Sequence, residues 1–243
     1  MRMKRWPFLV AAILSLPAFA GPPYLTDDPQ PTDEGHYENY FFMEGAAARD
    51  GSDGSGGIDF NYGAANDLQL TAVLPIGWRL PSGGPSVRGF GNIELAAKYK
   101  FLHQQGSGVD VAFFPRLFLP AGDAGVGERR ASLLLPLWLQ HTWDGWSAFG
   151  GGGCEIHRGG DARDFCQLGL ALTKQALRDL QIGVELYHQT PDTDSARVST
   201  DLNVGASYDV DSHLHVMASI GTGLQNRAQT DRTIWYAALL WTL

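Results

Sequence analysis

The residues whose types could do chemistry are two cysteines, scattered histidines, a glycine run and charges set at alternate positions. Cys154 and Cys166 share a parity and flank Gly160 symmetrically, so in a simple hairpin they face each other. In an oxidising compartment that predicts a disulfide. Two cysteines with His157 alone nearby do not make a metal site. His141, His188, His213 and His215, with Ser147 and Ser219, form no motif that joins nucleophile, base and orienting partner. The run Gly150 to Gly153 lacks the Lys-Ser/Thr and the helix of a phosphate loop; it suits a kink or close approach in a strand. Asp27, Asp28 and Glu34 do not follow a calcium-loop spacing and read as a solvated turn. No catalytic residue, cofactor or metal is expected, and the chain does not read as an enzyme.

The remaining charges interrupt apolar runs with period two, the spacing of a strand with two unlike faces. Between Phe90 and Phe101, Ile93, Leu95, Ala97, Tyr99 and Phe101 share one face, and Glu94, Lys98 and Lys100 share the other. Leu180 to Gln189 and Thr200 to Val210 repeat the pattern. The inner face of a closed cylinder then receives Glu38, Glu44, Glu94, Lys98, Lys100, Asp110, Arg116, Glu185, Asp201 and Asp209. Basic groups on a lipid face would cost about 2–4 kcal/mol each near the midplane. These residues are the lumen-lining candidates. Their acidic excess suits a channel for cations or polar solutes, or they pair into a closed plug.

Twelve strands carry these faces, at about 36–48, 57–64, 67–78, 89–102, 108–119, 130–142, 145–156, 164–173, 179–189, 199–210, 212–223 and 232–243. Most run 10 to 14 residues, enough for the roughly 9–11 that a tilted membrane crossing needs; 57–64 is short. Short connections alternate with long ones, Arg49 to Gly56 among the long. That regular sorting predicts an all-β, up-and-down antiparallel transmembrane barrel of about 12 strands, with tight turns on one rim and loops on the other. Tyr37, Tyr99, Phe101, Trp143, Trp146, Tyr208 and Trp241 fall near the short-turn rim, Trp78 and Trp235 near the other, as aromatic girdles do; Trp138 does not fit. Arginines gather in the long loops. Arg79, Arg88, Arg129, Arg130, Arg158, Arg163, Arg227 and Arg232 are candidate contacts for lipopolysaccharide phosphates, their fork matching phosphate geometry. The alternative is solvation beside Asp50, Asp161 or Asp231.

Composition agrees. Charged residues are 18% and hydrophobic ones 44% of 243, which excludes a disordered chain, and the net charge of −8 disfavours a nucleic-acid binder. Residues 1–20 form a signal peptide: Arg2, Lys4 and Arg5, then an apolar run from Phe8 to Leu16, then Ala18-Phe19-Ala20. Its removal leaves 15 basic against 26 acidic side chains. A Pro-rich lead-in, 21–35, precedes the barrel, 36–243; it could plug the mouth or lie in the periplasm.

Two resemblances add to this. Tyr236, Ala238, Trp241 and Leu243 resemble the C-terminal signal through which bacterial outer-membrane barrels meet their assembly machinery; Ala238 and Leu243 stand for the usual Gly and Phe. The stretch Gly21-Pro22-Pro23-Tyr24-Leu25-Thr26-Asp27-Asp28-Pro29-Gln30-Pro31, with Glu34-Gly35-His36-Tyr37-Glu38, resembles the opening of the outer-membrane transporter family labelled "meta-pathway of phenol degradation". The resemblance implies a single-chain barrel in a Gram-negative outer membrane that passes small, aromatic or hydrophobic molecules. Alternatives are a closed structural, adhesive or lipopolysaccharide-contacting barrel, then a lipid-modifying enzyme.

Overall fold

The computed structural model describes residues 22–157, 163–227 and 233–243. The signal peptide, Arg158, Gly160, Asp161, Asp231 and Arg232 lie outside the described residues. The described chain forms one closed antiparallel sheet: β1 (Tyr37–Ala47), β2 (Gly51–Ala65), β3 (Leu68–Pro81), β4 (Val87–Phe90), β5 (Ile93–Leu102), β6 (Asp110–Phe113), β7 (Arg116–Leu119), β8 (Ser132–Trp143), β9 (Trp146–His157), β10 (Phe165–Leu177), β11 (Leu180–Gln189), β12 (Ser199–Asp209), β13 (Leu214–Gln225) and β14 (Thr233–Thr242). β4 and β5 are one crossing interrupted at Gly91-Asn92. β6 and β7 are another, broken at Phe114-Pro115, where proline has no N–H for the ladder. The wall therefore has twelve crossings. A one-turn helix, α1 (Gln104–Ser107), bridges β5 and β6.

Closure is made by the two ends. β1 pairs with β14 from Glu38–Thr242 to Ala47–Thr233. Tyr37 and Leu243 exchange N–H···O bonds of 2.9 Å in both directions at the rim. A closed ladder satisfies every backbone group that hydrocarbon could not. The tight turns use the chemistry their geometry needs: Asp144-Gly145 joins β8 to β9 with both residues at positive φ, 44° and 73°.

One expected loop is a strand. Arg49 to Gly56 reads as a long connection, but β2 begins at Gly51 and only residues 48–50 join it to β1. Glycine is a poor strand former in isolation. Here neighbouring strands leave no room for a side chain: a Cβ on Gly54 would lie 2.3 Å from the Glu44 carbonyl, and one on Gly57 2.3 Å from that of Leu74. On the outer surface Trp235 lies against Gly45 and Trp78 against Gly54, their rings 6.5 Å apart at 22°.

Alternation sorts the two faces. Phe41, Leu74, Leu95, Leu170, Val184, Leu186, Val204, Ile220 and Leu239 point outward and are exposed, while their neighbours Asn61, Gln69, Glu94, Lys98, Gln140, Glu185 and Asn203 are buried inside. Tyr37, Tyr99, Phe101, Trp143, Trp146, Tyr208 and Trp241 are exposed on the outer surface near the short-turn rim. Trp138 points inward and is 1% exposed, so its poor fit to a girdle has a reason. Val184 pairs laterally with Val204, which pairs with Ile220, in the middle of the apolar band. Val184→Arg should destabilise the lipid-embedded barrel by about 2–4 kcal/mol, read as a lowered denaturant midpoint of tryptophan fluorescence in liposomes.

Candidate functional site

The inward side chains make a connected polar interior. Glu94 on β5 and Arg116 on β7 form a bidentate pair, Nε–Oε1 2.6 Å and Nη2–Oε2 2.8 Å. The guanidinium lies 5.6 Å from the Phe114 ring and 5.9 Å from the Phe118 ring. Asp110 accepts bonds from the Gln104 amide at 2.9 Å and from Gln30 Nε2 at 3.0 Å. Glu38 accepts from the Tyr40 hydroxyl at 3.3 Å, Glu44 from Ser55 at 2.9 Å, and Asp209 meets His215 Nδ1 at 2.7 Å. Glu185 and Asp201 are almost fully buried on β11 and β12.

Many of these groups find their partners in residues 22–35, which lie inside the barrel. Lys98 Nζ bonds Asp27 Oδ1 at 3.0 Å, and Lys100 Nζ bonds Gln30 Oε1 at 2.9 Å. The Thr26 amide donates to Glu185 Oε1, whose other oxygen accepts from Asn203. Thr32 donates its amide to Gln69 at 2.8 Å, Ser219 donates to the Pro23 carbonyl at 2.6 Å, and the Tyr24 hydroxyl donates to the Gly205 carbonyl at 3.1 Å. The segment thus crosses the lumen from the β3–β5 wall to the β10–β13 wall. Of the two placements open to the sequence, the structure has the plug.

Glycines on the inner face make its seat. A Cβ on Gly169 would meet Thr26 Oγ1 at 1.9 Å, one on Gly183 the Tyr24 hydroxyl at 2.6 Å, and one on Gly205 the Pro23 and Tyr24 rings at 3.0 Å. Gly183 and Gly205 are direct register partners. Thr26 and Asp28 are 0% and 1% exposed, so this is packed interior rather than a solvated turn.

A cavity lies on each side of the segment. One of about 740 Å³ opens toward the long-loop rim, and one of about 880 Å³ toward the short-turn rim. Gln30, Glu38 and Tyr40 line both, at the waist where the N-terminal segment crosses. Seven carboxylates line the upper cavity against Arg79, Lys98 and Arg116; the lower one has four and neither Lys nor Arg. The loop 120–131 folds into the upper mouth, where Val126 sits over Gly77 and Asp123 accepts the Phe90 amide at 2.9 Å.

The other candidates sit apart from this interior. Cys154 and Cys166 are direct register partners joined as a disulfide, on the outward, lipid-side face near the long-loop rim. Arg79 points into the upper cavity. Arg88, Arg129, Arg130 and Arg227 are exposed at that rim, and Arg163 pairs with Asp194 at 3.5 Å. Ser147 bonds Gln140 and Ser219 the Pro23 carbonyl, so neither serine meets a histidine. His141 bonds the Gly108 carbonyl, His188 Thr200, and His213 its neighbour Ser212. Asp53, Asp59, Gln69, Asn61 and Gln140 line the interior without having been singled out from the sequence. Parity on β2, β3 and β8 was the available signal for all but Asp53, which falls in the stretch that reads as a loop.

A family model described as "Putative MetA-pathway of phenol degradation" matches residues 35–236. An outer membrane channel from Pseudomonas putida F1 superposes with a TM-score of 0.75 at 14% identity, over 89% of this chain and 98% of that one. The KdgM porin gives 0.58 at 17% identity, over 84% and 98%. The NanC porin gives 0.54 at 7%, over 85% and 98%. No curated protein matches the chain in sequence. The fold is that of an outer-membrane barrel, and its apolar outer band contacts the lipid of that membrane.

If the glycine seat holds the segment, Gly169→Val should release it without unfolding the wall. Amide exchange at residues 24–28 should accelerate while the strands stay protected, and Leu168→Val on the outward face should change neither.

Proposed function

The chain belongs to the family described as "Putative MetA-pathway of phenol degradation", and we propose that it is a channel through which small molecules cross the outer membrane. The observation that carries this reading is the pair of cavities meeting at Gln30, Glu38 and Tyr40, divided by a segment held by hydrogen bonds, the Lys98–Asp27 ion pair and packing. A solute entering from the long-loop rim meets Arg116 and Glu94 between aromatic rings, then the crossing segment, then the lower cavity. Aromatic or apolar solutes suit the rings. The excess of carboxylates on the cavity walls, Glu38, Glu44 and Asp201 among them, favours cations over anions, whereas Glu185 holds the Thr26 amide and lines neither cavity. Lys100 and Asp110 hold Gln30 at the waist and so act on the segment rather than on the solute. The channel carries no catalytic step in this reading.

Two partner contacts belong to the same reading. Exposed arginines at the upper rim, Arg88, Arg129, Arg130 and Arg227, meet lipopolysaccharide phosphates, and barrel affinity for phosphate-stripped lipid should fall. The terminal strand, with Trp241 and Leu243 outward and Tyr236 and Ala238 inward, is the part the assembly machinery recognises.

A closed structural or adhesive barrel is the second reading, favoured by how fully residues 26–32 are bonded to the wall. Planar bilayers separate the two. The mature protein should give discrete, cation-selective steps. Glu94→Gln should lower that selectivity by freeing the Arg116 charge. Deleting residues 22–34 should raise conductance severalfold if the deleted protein still shifts on heating in gels. Silence from both the full-length and the shortened barrel would leave the closed barrel standing.

A further inference from the structure

The basic groups of the upper cavity are largely spoken for. Arg116 is held by Glu94 through two bonds, and Lys98 by Asp27 at 3.0 Å. Among the described residues, Glu44, Asp59 and Asp201 have no basic side chain at ion-pair distance. Glu44 and Asp59 are served by Ser55 and Asn61, each at 2.9 Å. Asp201 is different. It is 2% exposed, it lines the cavity, and its Oδ1 has no hydrogen-bond partner. A carboxylate buried so deeply costs several kcal/mol unless a charged donor reaches it. The Ser199 hydroxyl hydrogen-bonds the carboxylate but leaves Oδ1 unserved, Glu185 on the next strand adds a second negative charge, and His188 is, among the described residues, the one basic group that acts on it, without reaching ion-pair distance. Gln189 lines the cavity beside it, and the Tyr187 hydroxyl donates to Gln167 at 2.7 Å. The same cavity holds the parallel rings of Phe42 and Tyr236, 6.5 Å apart at 6°. Aromatic faces attract alkylammonium groups as well as apolar chains.

We propose that Asp201 anchors a binding site for the ammonium group of a small organic amine, the solute's apolar part lying among the aromatic rings of the upper cavity. The ammonium supplies the donor that Oδ1 lacks and offsets part of the uncompensated negative charge. An alcohol would satisfy the hydrogen bond but not the charge. A carboxylate solute would be repelled by Glu44, Asp59 and Asp201 together. The proposal deepens the channel reading by naming the charge of the solute, and its test does not need conduction.

The test is a ligand-observed NMR titration of the folded, detergent-solubilised mature protein with butylammonium, 1-butanol and butyrate. These probes share a chain and differ in charge. Butylammonium should bind in preference to the other two, and Asp201→Asn should weaken it about ten-fold, the scale of one charge-assisted hydrogen bond. Equal affinity for butylammonium and butanol in the unaltered protein overturns the proposal; so does unchanged binding in folded Asp201→Asn. If that variant fails to fold, Ser199→Ala and the three-probe comparison decide: ammonium preference supports the site and its absence overturns it. A protein silent in bilayers that still prefers butylammonium loses the channel reading and keeps this site. One that conducts without the preference does the reverse.

Discussion

The constraint on which this molecule depends is that a polypeptide inside hydrocarbon must satisfy its own backbone. β1 and β14 meet that demand by zipping the chain's first and last strands together, ending in the reciprocal bonds of Tyr37 and Leu243. Once the cylinder is shut, strand alternation leaves no choice about chemistry. Leu186 and Val184 go to lipid because Glu185, between them, cannot. The lumen is then a place where charges are enclosed but poorly hydrated, and each needs a partner drawn from the protein or from a solute.

The N-terminal segment supplies many of those partners. Without it Lys98 would lose Asp27, Lys100 and Asp110 would lose Gln30, and Glu185 would keep only the Asn203 amide. Breaking one side of a buried ion pair costs roughly 3–5 kcal/mol, so the plug is held by the needs of the wall as much as by its own packing. The glycines at 169, 183 and 205 make the fit possible by withholding side chains where backbone and rings must come close. Specific binding of the segment and narrowing of the lumen are therefore one structural fact.

Much of this was legible in the sequence because period-two alternation is local. The faces of β5, β11 and β12 follow from Glu94, Glu185 and Asp201 standing among apolar neighbours, and the Cys154–Cys166 bond follows from hairpin symmetry. What escaped depends on partners distant in the chain. Gly51 to Gly56 has the composition of a loop and becomes a strand only because β1 and β3 close on both sides. Trp138 breaks the girdle pattern because it faces inward, which a long apolar run from Leu133 to Leu139 conceals. Residues 22–35 have no periodicity at all. Their place is set by inner-face glycines far along the chain, and Gly205 looks like any other small residue in a strand until Pro23 and Tyr24 are laid against it.

The position of the disulfide bears on how the barrel is made. Cys154 and Cys166 lie opposite one another on the surface that ends up against the bilayer, away from the aqueous lumen. A covalent bond between direct register partners pins β9 to β10 at that level. A slip of one strand along the other would have to part the two sulfurs, so this hairpin is a locked staple within a wall otherwise aligned by hydrogen bonds and side-chain packing alone.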